Sequence, residues 1–147
     1  MALVDVLCHD TGCVPALRAA QVLNSAFLGV LFLQSGLDKV FDRQGNLEWL
    51  TSHFARSPLA GSVASLLTTI TVIELLAGGV SALGTLALLF HGGTALAIDG
   101  IALSAVALLM LFVGQRLAKD YAGAAVLASY FVLTMLALAL YAPGLGR

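Results

Sequence analysis

Charge is missing from most of this chain. Ala19 to Leu37, Ser57 to Ile73, Leu75 to Ile98, Ile101 to Gln115 and Tyr121 to Gly146 contain no Asp, Glu, Lys or Arg. A helix needs about 20 apolar residues to cross a bilayer, and only helices and closed barrels satisfy all backbone polar groups there. The block from Ser57 to Gln115 is broken only by Glu74, His91 and Asp99, and it is long enough for two spans. Barrel strands would alternate polar and apolar positions over about ten residues, and runs such as Ala102 to Val113 do not. The expected fold is an all-α bundle of four transmembrane helices. Of the 147 residues 60% are hydrophobic and 10% charged, against about 25% charged in soluble domains. No soluble domain fits in the remainder. The net charge of −1 gives no hint of a nucleic-acid partner. The first apolar stretch lacks a basic flank and a cleavage site, so no removable signal is expected.

Residues 1–16 form a short head, and Pro15 suits a helix start. The four spans are expected at about 17–41, 62–83, 85–114 and 121–141. Ser25, Gly29 and Gly36 give the first a face for close approach, and Gln21, Asn24, Gln34 and Ser35 add polar positions. In the loop after it Leu47, Leu50 and Phe54 recur at helical spacing beside Trp49, which reads as a short interfacial helix ending before Pro58. Gly84 is the expected turn between the second and third spans, with a break at Gly92–Gly93 as the competing placement. Pro143 and Gly144 end the last span. Lys39, Arg43, Arg56, Arg116 and Lys119 face one side, against Arg18 and Arg147 on the other. The positive-inside rule then puts both termini outside; without Lys39 and Lys119 the count is three against two.

An ionisable group at membrane depth usually faces protein and has a partner. Glu74 is the first candidate, with Gln34, Ser35 or Lys39 as partners across the helices. If the second and third helices are centred near Ile73 and Asp99, Glu74 and Asp99 lie at similar depth. At least one of the two carboxyls would then be protonated, a proton-sharing pair beside a small ligand. Lys39, flanked by Asp38, reads either as the cation opposite Glu74 or as an interfacial anchor. His91 has no evident second axial ligand for haem. Cys8 and Cys13 form a possible thiol pair, without the Cys-x-x-Cys spacing or ligand number of a metal site. No metal or intrinsic cofactor is expected.

Helix 1 ends in Gln34–Ser35–Gly36–Leu37–Asp38–Lys39, helix 2 carries Glu74–Leu75–Leu76–Ala77–Gly78–Gly79, and Lys119–Asp120–Tyr121–Ala122–Gly123 leads into helix 4. In this order they resemble the DoxX family of small four-helix membrane proteins, over roughly Arg18 to Leu140. The resemblance departs at Leu83–Gly84–Thr85–Leu86, where the family often has a basic residue, and in the head. It implies termini in the cytoplasm, contrary to the charge count, and makes Lys119 and Asp120 motif positions. It also implies an accessory subunit of a larger membrane redox assembly in a bacterial inner membrane. Such a subunit has no catalytic activity of its own, with a quinone- or lipid-sized site near Glu74 and Lys39. The alternative is a small homo-oligomeric transporter or membrane chaperone using Glu74 and Asp99.

Overall fold

The computed structural model describes residues 13–142, and among them there is no strand. The α-helices are α1 (Cys13–Phe41), α2 (Arg43–Phe54), α3 (Val63–Phe90), α4 (Ala95–Leu117) and α5 (Tyr121–Ala139), with one 3-10 turn at Ala60–Ser62. All but α2 are long and apolar enough to cross a membrane. The chain is therefore an integral membrane protein with a bundle of four spans.

Apolar surface alone does not bring helices together in lipid, so close backbone approach has to supply the packing. On α3 it does so on two faces. A Cβ on Gly78 would stand 2.5 Å from the Leu33 backbone nitrogen, and one on Gly36 would stand 2.8 Å from the Leu75 side chain. On the other face a Cβ on Gly84 would meet the Ala97 backbone at 2.6 Å, and one on Gly100 would meet Ser81 at 2.6 Å. Thus α3 is the central helix, between α1 and α4, and α5 packs on α4. Side chains close the ring between α1 and α5. The Phe27 and Tyr130 rings lie 6.4 Å apart, and Gln21 Nε2 donates to the Leu140 carbonyl at 3.0 Å. Three threonines of α3 are satisfied locally: Thr68, Thr69 and Thr71 each donate to the carbonyl four residues back.

Of the two placements for the break between the second and third spans, the structure has the competing one at Gly92–Gly93. Gly84 does not end the second span; it is buried against Ala97, inside a helix that runs on to Phe90. The chain turns instead at His91–Thr94, where Gly92 adopts φ +72°, the left-handed conformation that closes a helix after its C-cap. The Arg18 guanidinium donates to the Leu88 and Gly92 carbonyls at this end. The third span accordingly starts at Ala95 rather than near residue 85.

The helix registers come from the small-residue contacts. Gly36 opposes Leu75 and Gly29 opposes Ala82, so α1 and α3 are antiparallel. On that register Phe41, the end of α1, is level with about Ile70. The first two turns of α3 and the last turns of α4 therefore continue roughly 10 Å beyond α1. The space below α1 is walled by α2, which is capped by the Asp42 carboxylate accepting from Gly45 N at 3.1 Å. No residue of α2 is fully buried.

Gly78 and Gly79 are neighbours with opposite surroundings, since nothing lies within 4 Å of a Cβ on Gly79. Gly78→Ala should destabilise the protein by about 1–3 kcal/mol through overpacking. Gly79→Ala should be neutral or stabilising by up to about 1 kcal/mol, as glycine is a poor helix former. Thermal unfolding in one detergent checks both; equal effects would contradict this helix register.

Candidate functional site

Glu74 is fully buried, one turn from the point where α3 meets the backbone of α1. Lys39 reaches it from the last turn of α1, with Nζ 2.8 Å from Oε2 and the two side chains 16% and 0% exposed. Oε2 lies off the line of a directed hydrogen bond to Nζ, so this contact is chiefly an ion pair. Ser35 completes the set: its hydroxyl accepts from Lys39 Nζ at 2.8 Å and donates to Glu74 Oε1 at 3.2 Å. The Ser35 carbonyl takes a further Lys39 N–H at 3.2 Å. Of the three N–H groups of the ammonium, Ser35 Oγ and Ser35 O accept two, and the Glu74 carboxylate meets its charge. The i, i+4 spacing of Ser35 and Lys39 puts both on the α1 face that meets α3.

The pair is polar on one side only. Toward the Arg18 end of the bundle, Leu28, Phe32, Ala77 and Ile101 are all buried and close it off. On the other side Lys39 borders a cavity of about 580 Å³ in the space below α1. Ile70 and Leu67 of α3, Met110 and Gly114 of α4, and Leu50 and Phe54 of α2 are among its walls. The polar groups at the cavity are Lys39, Asn46, Gln115 and the indole of Trp49. Its rim toward the α4–α5 turn is tied by His53. His53 Nε2 lies 2.9 Å from Gln115 Oε1 and 3.9 Å from Asp120 Oδ2, and its ring stacks on Trp49 at 4.7 Å.

Of the residues expected to cooperate, Glu74, Ser35 and Lys39 meet; others do not. Asp99 is exposed on the outer face of α4, where its neighbours Ala97, Gly100 and Ile101 turn inward. The Gly100–Ser81 contact sets it level with about Ala82, eight residues or roughly 12 Å from Glu74 along α3. A proton-sharing Glu74–Asp99 pair is therefore excluded by position, because α4 starts ten residues later than expected. Asp99 sits instead in the second turn of α4. Gln34 is exposed and makes no side-chain hydrogen bond among the described residues. The Asp38 side chain is also exposed; its carbonyl accepts from Asn46 Nδ2 at 3.4 Å. Gly36 and Gly78 are the close-approach positions, whereas Gly79 has open space. Lys119 is exposed in a left-handed turn, φ +62°, and Asp120 caps α5 by accepting from Gly123 N at 2.9 Å. Both belong to the α4–α5 turn, apart from the ion pair. His91 is exposed in the α3–α4 turn, and no cluster of metal-ligating residues occurs among the described residues. Cys8 lies outside the described residues, as does the side chain of Cys13. Asn46, Gln115 and Gly114 carried no motif; only the need of the Leu50–Phe54 face for an apolar neighbour hinted at them.

No protein-family model matches the chain, and no curated protein or solved structure matches it. The resemblance to DoxX proteins therefore rests on its sequence motifs alone.

Removing one member of a buried pair leaves the other charge uncompensated, at about 3–5 kcal/mol. Lys39→Met should be the worse single change, since Glu74 has no exposure. Glu74→Gln should be milder, because Lys39 can turn toward the cavity. The double variant should be more stable than Lys39→Met alone, and denaturation of all three in one detergent tests this. Strictly additive losses would show that the two side chains are not coupled.

Proposed function

We propose that the chain is a DoxX-like accessory subunit of a membrane redox assembly and that it holds a quinone- or lipid-sized molecule beside Lys39. The observation that carries this reading is the apolar cavity of about 580 Å³ next to a buried ion pair. That volume falls in the range of small-molecule sites, about 300–1,000 Å³. Most of the wall is aliphatic or aromatic, as a membrane-soluble ligand requires. No residue set among the described residues supplies a redox centre, so electron transfer would depend on a partner carrying the cofactor. The small-residue packing faces of α1 and α3 are used within the bundle. A partner subunit would therefore meet the outer faces of the helices. A bacterial inner membrane is the proposed location, by the same family resemblance.

Transport through Glu74 and Asp99 is the weaker alternative. The pair at Glu74 opens to one side only, and Asp99 is on the outside of the bundle. Alternating access would need a second polar route past Leu28, Phe32 and Ile101, all buried in the core.

Mild-detergent purification from native membranes, with mass spectrometry of all bound components, tests the accessory role. Larger flavin- or haem-carrying subunits at fixed stoichiometry are expected. Recovery as a homo-oligomer without such subunits would remove this reading and favour an independent function.

A further inference from the structure

The cavity offers room for an amphiphile but no free charge to hold one. Lys39 is the only charged residue on its walls among the described residues; its charge is met by Glu74 and two of its N–H groups by Ser35. An anionic head at Lys39 would have to displace the Glu74 carboxylate, which is 0% exposed and would be left buried without a counter-ion. The nearby cations do not substitute. Arg43 is exposed and donates to Thr68 Oγ1, and Arg116 lies over the Tyr121 ring.

Neutral groups are available. Asn46 uses its NH₂ on the Asp42 and Asp38 carbonyls, at 2.8 and 3.4 Å, which leaves its Oδ1 as an acceptor. Gln115 engages His53 through Oε1 and leaves its NH₂ as a donor. Trp49 adds an indole N–H without a partner among the described residues. Gln115 and Trp49 meet at His53, near the end of α2, while Asn46 stands at its start beside the last carbonyls of α1. From Gln115 the aliphatic wall continues toward Met110 and Ile70 over roughly 7 Å of helix. Burying an unpaired charge costs far more than burying a hydroxyl or carbonyl that finds a partner.

We infer that this site takes an uncharged single-chain amphiphile, with a hydroxyl or carbonyl head at Gln115 and Trp49 and its chain along α3 past Asn46 toward Ile70. The inference rests on the cavity being a ligand site, as proposed above, and adds the charge and chain number of the ligand. Lys39 contributes its methylene stem and holds Glu74; it does not bind the head. At about 580 Å³ the cavity has room for about one long hydrocarbon chain, not two.

Trp49 is the only tryptophan in the chain; it borders the cavity and is 58% exposed, so occupancy is reported by quenching that saturates and that filling the cavity abolishes. The experiment titrates the detergent-solubilised full chain with dibromostearyl alcohol and, separately, with dibromostearate in alkaline buffer. Bromine quenches the indole in both cases, and only the head differs. Gly114→Leu is the control. A Cβ on Gly114 meets only the Phe54 ring, at 3.6 Å, so the larger side chain fills the cavity without a backbone clash. Saturable quenching by the alcohol is expected, at a concentration at least about tenfold below that for the carboxylate, and lost in Gly114→Leu. Equal or tighter binding of the carboxylate would overturn the neutral-head inference while leaving the cavity as a site. Quenching that never saturates, or that persists unchanged in a folded Gly114→Leu protein, would overturn both.

Discussion

The contact of the α1 and α3 backbones at Gly78 and Gly36 determines most of the architecture around the candidate site. Two helices that touch through glycine cannot slide without steric cost, so their register is fixed. That register puts Lys39 within reach of Glu74, one turn beyond the contact. It also ends α1 about two turns short of the start of α3, and the cavity is the space left there. The ion pair and the cavity thus share one origin.

A buried ion pair is weak evidence for stability, because desolvation offsets most of the attraction. Its effect here is on specificity and on the character of the cavity. With Glu74 holding the ammonium by its charge and Ser35 accepting two of its N–H groups, a lysine that would otherwise attract anions is neutralised. Charged lipid heads are then at a disadvantage beside groups such as Asn46 and Gln115. The sealed core at Leu28, Phe32 and Ile101 keeps this chemistry on one side of the bundle.

The spans were legible because absence of charge over about 20 residues has few structural solutions. Glu74 was legible for the same reason, as was its partnership with helix 1. Gly84 misled because glycine serves both as a helix terminator and as a close-packing residue, and only the neighbour decides. Its neighbour is Ala97, whereas the terminator is Gly92, in the Gly92–Gly93 pair that the sequence offers as the competing break. That displacement moved the third span by ten residues and carried Asp99 from the expected core to the outer face. The cavity was not legible at all. It depends on how far α1 stops short of α3, and on Asn46, Gln115 and Gly114 lining one space from separate elements.

The most direct test of the central claim is lipid analysis of what the protein carries out of its own membranes, wild type beside Gly114→Leu. A neutral, single-chain amphiphile retained by the wild type and absent from the variant is the expected result. The same retained molecules in both proteins, or a charged two-chain lipid held only by the wild type, would contradict the account.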